Sequence, residues 1–219
     1  MVSPVTKRPG RPADPELWQR RREEILDAAA TLFARHGYNQ TDTQILADTL
    51  QVGKGTLYRY FPSKRELFLA SVDRVMRRLR ACIDARIAGV TEPLEQIALA
   101  VGAYLAFFAK HPDFVELLIQ ERAQFKDRKK PTYFEHRDLN VQRWRDMYRG
   151  LITQGRIRDI PVERITDVFG DALYGTVIAN YFAGQRKPSE EQARDVLDIV
   201  FHGILSDKER SARTSSTGV

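Results

Sequence analysis

Lys54, Gly55, Thr56, Tyr58 and Arg59 fall within one short stretch and combine two cations, two hydroxyls and a residue with no side chain. This set suits a phosphate-lined groove. Hydroxyls and ammonium groups contact phosphate oxygens, a guanidinium can make a bidentate contact with a guanine edge, and glycine lets the backbone come close. Catalytic chemistry has no comparable set. Gly53-Lys54-Gly55-Thr56 lacks the upstream glycine spacing and the preceding strand of a phosphate-binding loop, and no nucleophile with a matched base is evident. His111, Asp113 and His136 are poorly spaced for a metal, so neither a metal nor a cofactor is expected. Cys82 is the single cysteine, which excludes an internal disulfide framework. Its setting, Leu79-Arg-Ala-Cys-Ile83, predicts a small buried apolar residue.

The elements that must position the basic set are helical. Between Thr41 and Phe61, Ile45, Leu46 and Leu50 give one short helix an apolar face, and Leu57, Tyr60 and Phe61 give a second helix its own. A tight turn between them makes a helix-turn-helix. Thr41 with Gln44, and Ser63 with Glu66, read as capping boxes at its two ends. Upstream, Asp14-Pro15-Glu16 opens a helix with Ile25, Leu26, Ala29, Leu32 and Phe33 inward, ended by Gly37. Downstream, a long helix runs from Ser63 to about Ile87, burying Leu67, Val72, Val75, Met76, Leu79 and Ile83. Five further helices follow, over about 91–110, 113–125, 132–154, 162–182 and 190–205. Thr91, Thr132 with Glu135, and Ser189 with Gln192 open the first, third and fifth of these. No strand alternation appears, and the expectation is an all-α chain of about nine helices.

Charge points the same way. The formal net charge is +6, yet residues 1–80 hold 15 Lys+Arg against 9 Asp+Glu while residues 81–219 hold 20 of each. All the excess positive charge accompanies the helix-turn-helix, where counterion release from phosphates rewards it. The first residues lack the apolar core of a signal peptide and no run is long enough to span a membrane. A cytoplasmic protein is expected. The organisation reads as a basic arm (1–13), a helix-turn-helix domain (14–62), a larger helical domain (63–206, with 63–87 as connecting helix) and a polar tail (207–219).

The block from Ile25 to Phe68 resembles the DNA-binding domain of TetR/AcrR-family transcriptional regulators. The resemblance is carried by Ile25-Leu-Asp-Ala-Ala-Ala-Thr-Leu-Phe-Ala-Arg-His-Gly-Tyr38, by Thr41, Ala47 and Val52, by Lys54-Gly-Thr-Leu-Tyr-Arg-Tyr-Phe61 and by Ser63-Lys-Arg-Glu-Leu67. It departs in the turn, where the family usually has Gly at the place of Gln51 and often Ser at the place of Gly53. Our reading gives positive φ to Gly53 and leaves Gln51 helical. The resemblance implies a carboxy-terminal helical domain for ligand binding and dimerisation.

Resemblance and local chemistry together assign Thr56, Tyr58, Tyr60 and Lys64 to phosphates and Lys54, Gly55 and Arg59 to bases, with Thr43 and Gln44 adding one contact of each kind. Tyr58 and Tyr60 have core packing as their alternative, and Tyr60 shares a face with Leu57. In the arm, Lys7-Arg-Pro-Gly-Arg-Pro12 resembles a minor-groove AT-hook, with Arg8 and Arg11 as its contacts, the alternative being a basic tail that only raises nonspecific affinity. With the resemblance, a pocket for an apolar or amphipathic effector is expected among Tyr104, Phe107, Phe108, Phe114, Leu118 and Glu121, together with Phe125, Trp144, Tyr148 and Tyr174. In the family the last two helices form a two-fold dimer interface, which here would use Leu173, Val177, Ile178 and Tyr181 with Val196, Ile199, Val200 and Gly203. The expectation is a homodimeric, ligand-responsive repressor on a pseudo-palindromic double-stranded operator. The competing classes are an architectural DNA-binding protein without an effector and, without support from any motif, an all-helical enzyme.

Overall fold

The computed structural model describes residues 14–184 and 187–203. The described residues form nine α-helices and no strand: α1 (Pro15–Gln40), α2 (Thr43–Thr49), α3 (Lys54–Tyr60), α4 (Lys64–Ile87), α5 (Pro93–Lys110), α6 (Asp113–Gln124), α7 (Thr132–Thr153), α8 (Val162–Ala183) and α9 (Ser189–His202). The all-α expectation is borne out. By packing, the described residues divide into two compact units between Arg74 and Val75, within α4. The reason is packing: Phe68 meets Phe33 and Tyr38 edge-on at 5.0 and 5.3 Å, and Arg74 pairs with Glu23 and Asp27 of α1.

In the first unit Ile25, Leu26, Ala29, Ala30, Phe33, Leu46, Ala47 and Phe68 are fully enclosed. Asp14 caps α1 by accepting from the Glu16 N–H at 3.0 Å, and Pro15 occupies the position where no N–H is needed. Ser63 caps α4 by accepting from the Glu66 N–H at 3.1 Å. Other expected caps are displaced by one residue. Asp42, not Thr41, caps α2, while the Thr41 hydroxyl donates to the carbonyls of Gly37 and Leu32. Glu92 replaces Thr91 on α5, accepting from the Glu95 N–H at 2.6 Å. Pro131 and Pro188 precede α7 and α9, leaving Thr132 and Ser189 as buried first residues of those helices. A carboxylate next to a hydroxyl takes the cap because it is the stronger acceptor toward N–H groups.

Two apolar expectations also fail. Ile45 is 53% exposed because Leu46 and Ala47 fill the core side of the short α2. Cys82 is exposed, since α4 turns Met76, Leu79 and Ile83 inward and Cys82 outward.

The turn assignment reverses. Gln51 takes φ +54°, and Gly53 is extended at φ −69°, ψ 145°, as the residue preceding α3. The Val52 N–H bonds back to the Ala47 carbonyl at 2.9 Å, which closes α2 only if residue 51 is left-handed. A side chain there costs about 1–2 kcal/mol, partly offset by the about 0.5–1 kcal/mol of extra chain entropy a glycine would lose on folding. Gln51→Gly is therefore expected to raise the unfolding free energy by about 0.5–1 kcal/mol, read as a higher urea midpoint at unchanged slope.

In the second unit α5 packs on α8 and α9, and α7 packs on α8. Ile97, Val101, Leu105, Val115, Leu117 and Leu151 are buried there. No described helix is long and apolar enough to cross a membrane.

Candidate nucleic-acid interface and effector cavity

Leu57 is the buried anchor of α3, so the opposite face of this short helix is turned out. Lys54, Gly55, Tyr58 and Arg59 are all exposed there. Arg59 makes no hydrogen bond or ion pair among the described residues, and Lys54 has only a loose pairing with Asp42 at 3.8 Å. A cation held on a helix without a partner is available to an external anion. A Cβ on Gly55 would meet nothing within 4 Å, so the glycine is not required by the fold itself.

The Tyr58 hydroxyl shares a hydrogen bond of 3.2 Å with Thr43 Oγ1, which ties α3 to the start of α2. Thr43 is buried and Gln44 is exposed, its amide donating to Asp48 at 2.7 Å. The ring of Tyr60, half-buried, stacks on the half-buried Trp18 at 3.8 Å. Lys64 donates to the Asn39 carbonyl at 3.1 Å and lies 4.8 Å from the centre of the Tyr38 ring, a place fixed by the fold. Trp18 has no signal in the sequence beyond its type. Arg8 and Arg11 lie outside the described residues.

The second unit holds a cavity of about 270 Å³. Its apolar wall includes Met76, Leu79 and Ile83 from α4, Val101 from α5, and Phe169 and Leu173 from α8. Of the residues expected around an effector, Tyr104, Trp144 and Tyr148 line it. Phe107, Phe108 and Phe114 do not; they pack on one another at ring separations of 5.4 and 6.0 Å, with Leu118 and Phe125 buried in the core. Tyr174 packs against Tyr133 and Phe134 instead. Glu121 also stays out of the cavity: its Oε1 accepts from the Thr132 N–H and hydroxyl at 2.9 and 2.8 Å and pairs with Arg128 at 3.2 Å. Periodicity marks these side chains as inward, but not which interior space they face.

Tyr104 and Tyr133 share a hydroxyl–hydroxyl bond of 2.9 Å in the cavity wall. Burial keeps both protonated, raising Tyr104 well above the usual tyrosine range and pushing Tyr133 up to about 12. One of the two hydroxyls donates to the other, so one remains able to donate to a guest. Arg137 lies in the same wall, clamped by Asp171 at 2.7 Å and Asp167 at 3.3 Å over Gly170. Tyr133, His136 and Arg137 were not anticipated as cavity lining. Among the described residues no cluster of His, Cys, Asp or Glu could hold a metal.

Of the residues expected at a dimer interface, Ile199 is exposed and Ile178, Tyr181, Val196 and Val200 are half-buried. Gly203 is exposed at φ +75°. Val177 is buried within the chain and Leu173 belongs to the cavity wall, so neither offers a free apolar surface. The sequence reading missed Val168, Phe182 and Phe201, large apolar residues left exposed on α8 and α9.

A model described as bacterial regulatory proteins, tetR family, matches residues 25–71, and one described as tetracyclin repressor-like, C-terminal domain, matches residues 90–204. The chain belongs to the TetR family. This TetR-family chain is 34% identical over 93 residues to the HTH-type transcriptional regulator HbdR of Aromatoleum sp. (strain CIB), covering 42% of this chain and 41% of HbdR. It therefore spans less than half the length of that relative. It is 27% identical over 196 residues to the HTH-type transcriptional repressor KstR2 of Mycobacterium tuberculosis, covering 85% of this chain and 94% of KstR2. The structure of FadR from Bacillus subtilis in complex with stearoyl-CoA matches with a TM-score of 0.67 at 19% identity, covering 83% of this chain and 98% of that one, a likeness of fold. As a TetR-family transcriptional regulator the protein is a DNA-binding factor and not an enzyme.

Proposed function

We propose that this TetR-family regulator is a repressor that binds a pseudo-palindromic operator as a homodimer and is released by a small apolar or amphipathic effector. The carrying observation is the face of α3, where Lys54, Gly55, Tyr58 and Arg59 stand exposed and Arg59 has no partner among the described residues. The fold supports Arg59 and Lys54 as base-reading groups and Tyr58 as a phosphate contact, with the roles of Tyr60 and Lys64 narrowed to their polar ends. Val168, Phe182, Ile199 and Phe201, large apolar groups each left exposed on α8 and α9, support these helices as the dimer surface.

The cavity supports the effector arm of the reading. Its lining includes residues of α4, and α4 continues by chain into the unit that carries α3. Effector must prefer the conformation that fits DNA poorly, and DNA must then weaken effector binding by the same factor. The site of action is the cytoplasm, where the operator is.

Footprinting of the purified chain on its own upstream DNA tests the proposal. Two protected half-sites about one helical turn or a multiple apart are expected, whereas broad, salt-sensitive coating would establish an architectural protein instead. Gly55→Val is expected to erase the footprint while leaving the melting temperature essentially unchanged, because a Cβ there is unopposed in the fold but faces the groove.

A further inference from the structure

We infer that the effector carries an anionic group, held at the cavity mouth by Arg80 of α4 and Arg143 of α7. The inference rests on the cavity being the effector site. Its volume of about 270 Å³ leaves room for the apolar body of a small guest.

Charge is unevenly distributed around this space. Arg80 and Arg143 come from different helices and converge on a single carboxylate, Asp84, at 3.4 and 2.7 Å. All three residues line the cavity, and their side chains are 58%, 44% and 41% exposed in the order Arg80, Arg143, Asp84. Two guanidinium groups on one carboxylate leave one positive charge unbalanced. The Arg143 guanidinium also lies 4.8 Å from the centre of the Trp144 ring, which orients it at the rim.

The third arginine of the lining does not share this surplus. Arg137 is matched by two carboxylates, Asp167 and Asp171, and so offers no net attraction for an anion. Asn140 donates to the His136 carbonyl at 2.6 Å, and the Tyr104–Tyr133 hydroxyl pair is neutral. Among the arginines of the lining the excess cation is therefore confined to the Arg80–Asp84–Arg143 set. Exposed ion pairs of this kind are weak, so an incoming anion can share or displace Asp84 at little cost, and a planar guanidinium suits carboxylate and phosphate alike.

The shared chemistry is an anionic oxygen group on an apolar body, either a carboxylate or the phosphates of a coenzyme A thioester. Calorimetry on the full chain with decanoate, decanoyl-coenzyme A and decan-1-ol separates the cases. We expect one or both anions to bind at least about tenfold more tightly than the alcohol. Preference for the acid assigns the carboxylate, and preference for the thioester assigns the phosphates. In the double variant Arg80→Gln, Arg143→Gln the preference should vanish while binding of decan-1-ol is retained. Equal affinity for the alcohol and both anions, or a preference that survives in the double variant, overturns the anionic assignment alone. Failure of all three to bind overturns the cavity as effector site, and the anionic assignment with it.

Discussion

Replacing Glu121 with alanine is expected to lower the unfolding free energy by about 3 kcal/mol, the range for removing one member of a buried ion pair. The Glu121 side chain is 1% exposed, and one of its oxygens receives the Thr132 N–H, the Thr132 hydroxyl and the Arg128 guanidinium. That oxygen fixes the start of α7 to α6. Without it a buried amide N–H and a hydroxyl lose their acceptor and Arg128 keeps only Glu135, at 2.7 Å. Glu121→Gln retains an oxygen for Thr132 and loses only the ionic part, so its loss should be about half as large. Urea unfolding of the full chain reads both values. A loss below about 1 kcal/mol for the alanine variant would show that water or a neighbouring group replaces the carboxylate, at the usual cost of a single hydrogen bond.

Arg59→Ala is expected to weaken operator binding by about 1–3 kcal/mol, the worth of a good bidentate base contact, or roughly five- to 150-fold. The loss should be concentrated at one base pair. Titration of the variant against the operator and against single base-pair substitutions of it would show that the variant no longer discriminates at that position while discriminating elsewhere. Lysine at position 59 should not restore the discrimination, because an ammonium group lacks the planar fork. A uniform loss across every operator variant would make Arg59 a backbone contact, and Lys54 would then be the better candidate for base reading.

Much of the helix-turn-helix was legible because its determinants are local. The apolar spacing of Leu46 and Leu57, Pro15 after Asp14, and Ser63 before Glu66 act within one or two helical turns, and each appears in the structure as expected. Local signals failed where two neighbours compete for one job. Asp42 outcompetes Thr41 as a cap, Glu92 outcompetes Thr91, and Gln51 takes the left-handed turn although Gly53 stands two residues away.

The interior of the second unit was less legible. Aromatic residues on an amphipathic helix read alike whether they face a filled core or a cavity. Phe107, Phe108 and Phe114 share the first environment, and Tyr104, Trp144 and Tyr148 the second. The choice between them depends on what α7 and α8 bring to the same place.

By itself, then, the sequence determined the class of the chain, its helices, its family and the exposed polar face of α3, since periodicity, capping and charge act over a few residues. Tertiary structure alone decided the cavity, the position of Glu121 outside it and the meeting of Arg143 with Asp84 across 59 residues of chain. Contacts at that separation leave no trace in spacing, because they form only when the packed helices set the distance between them.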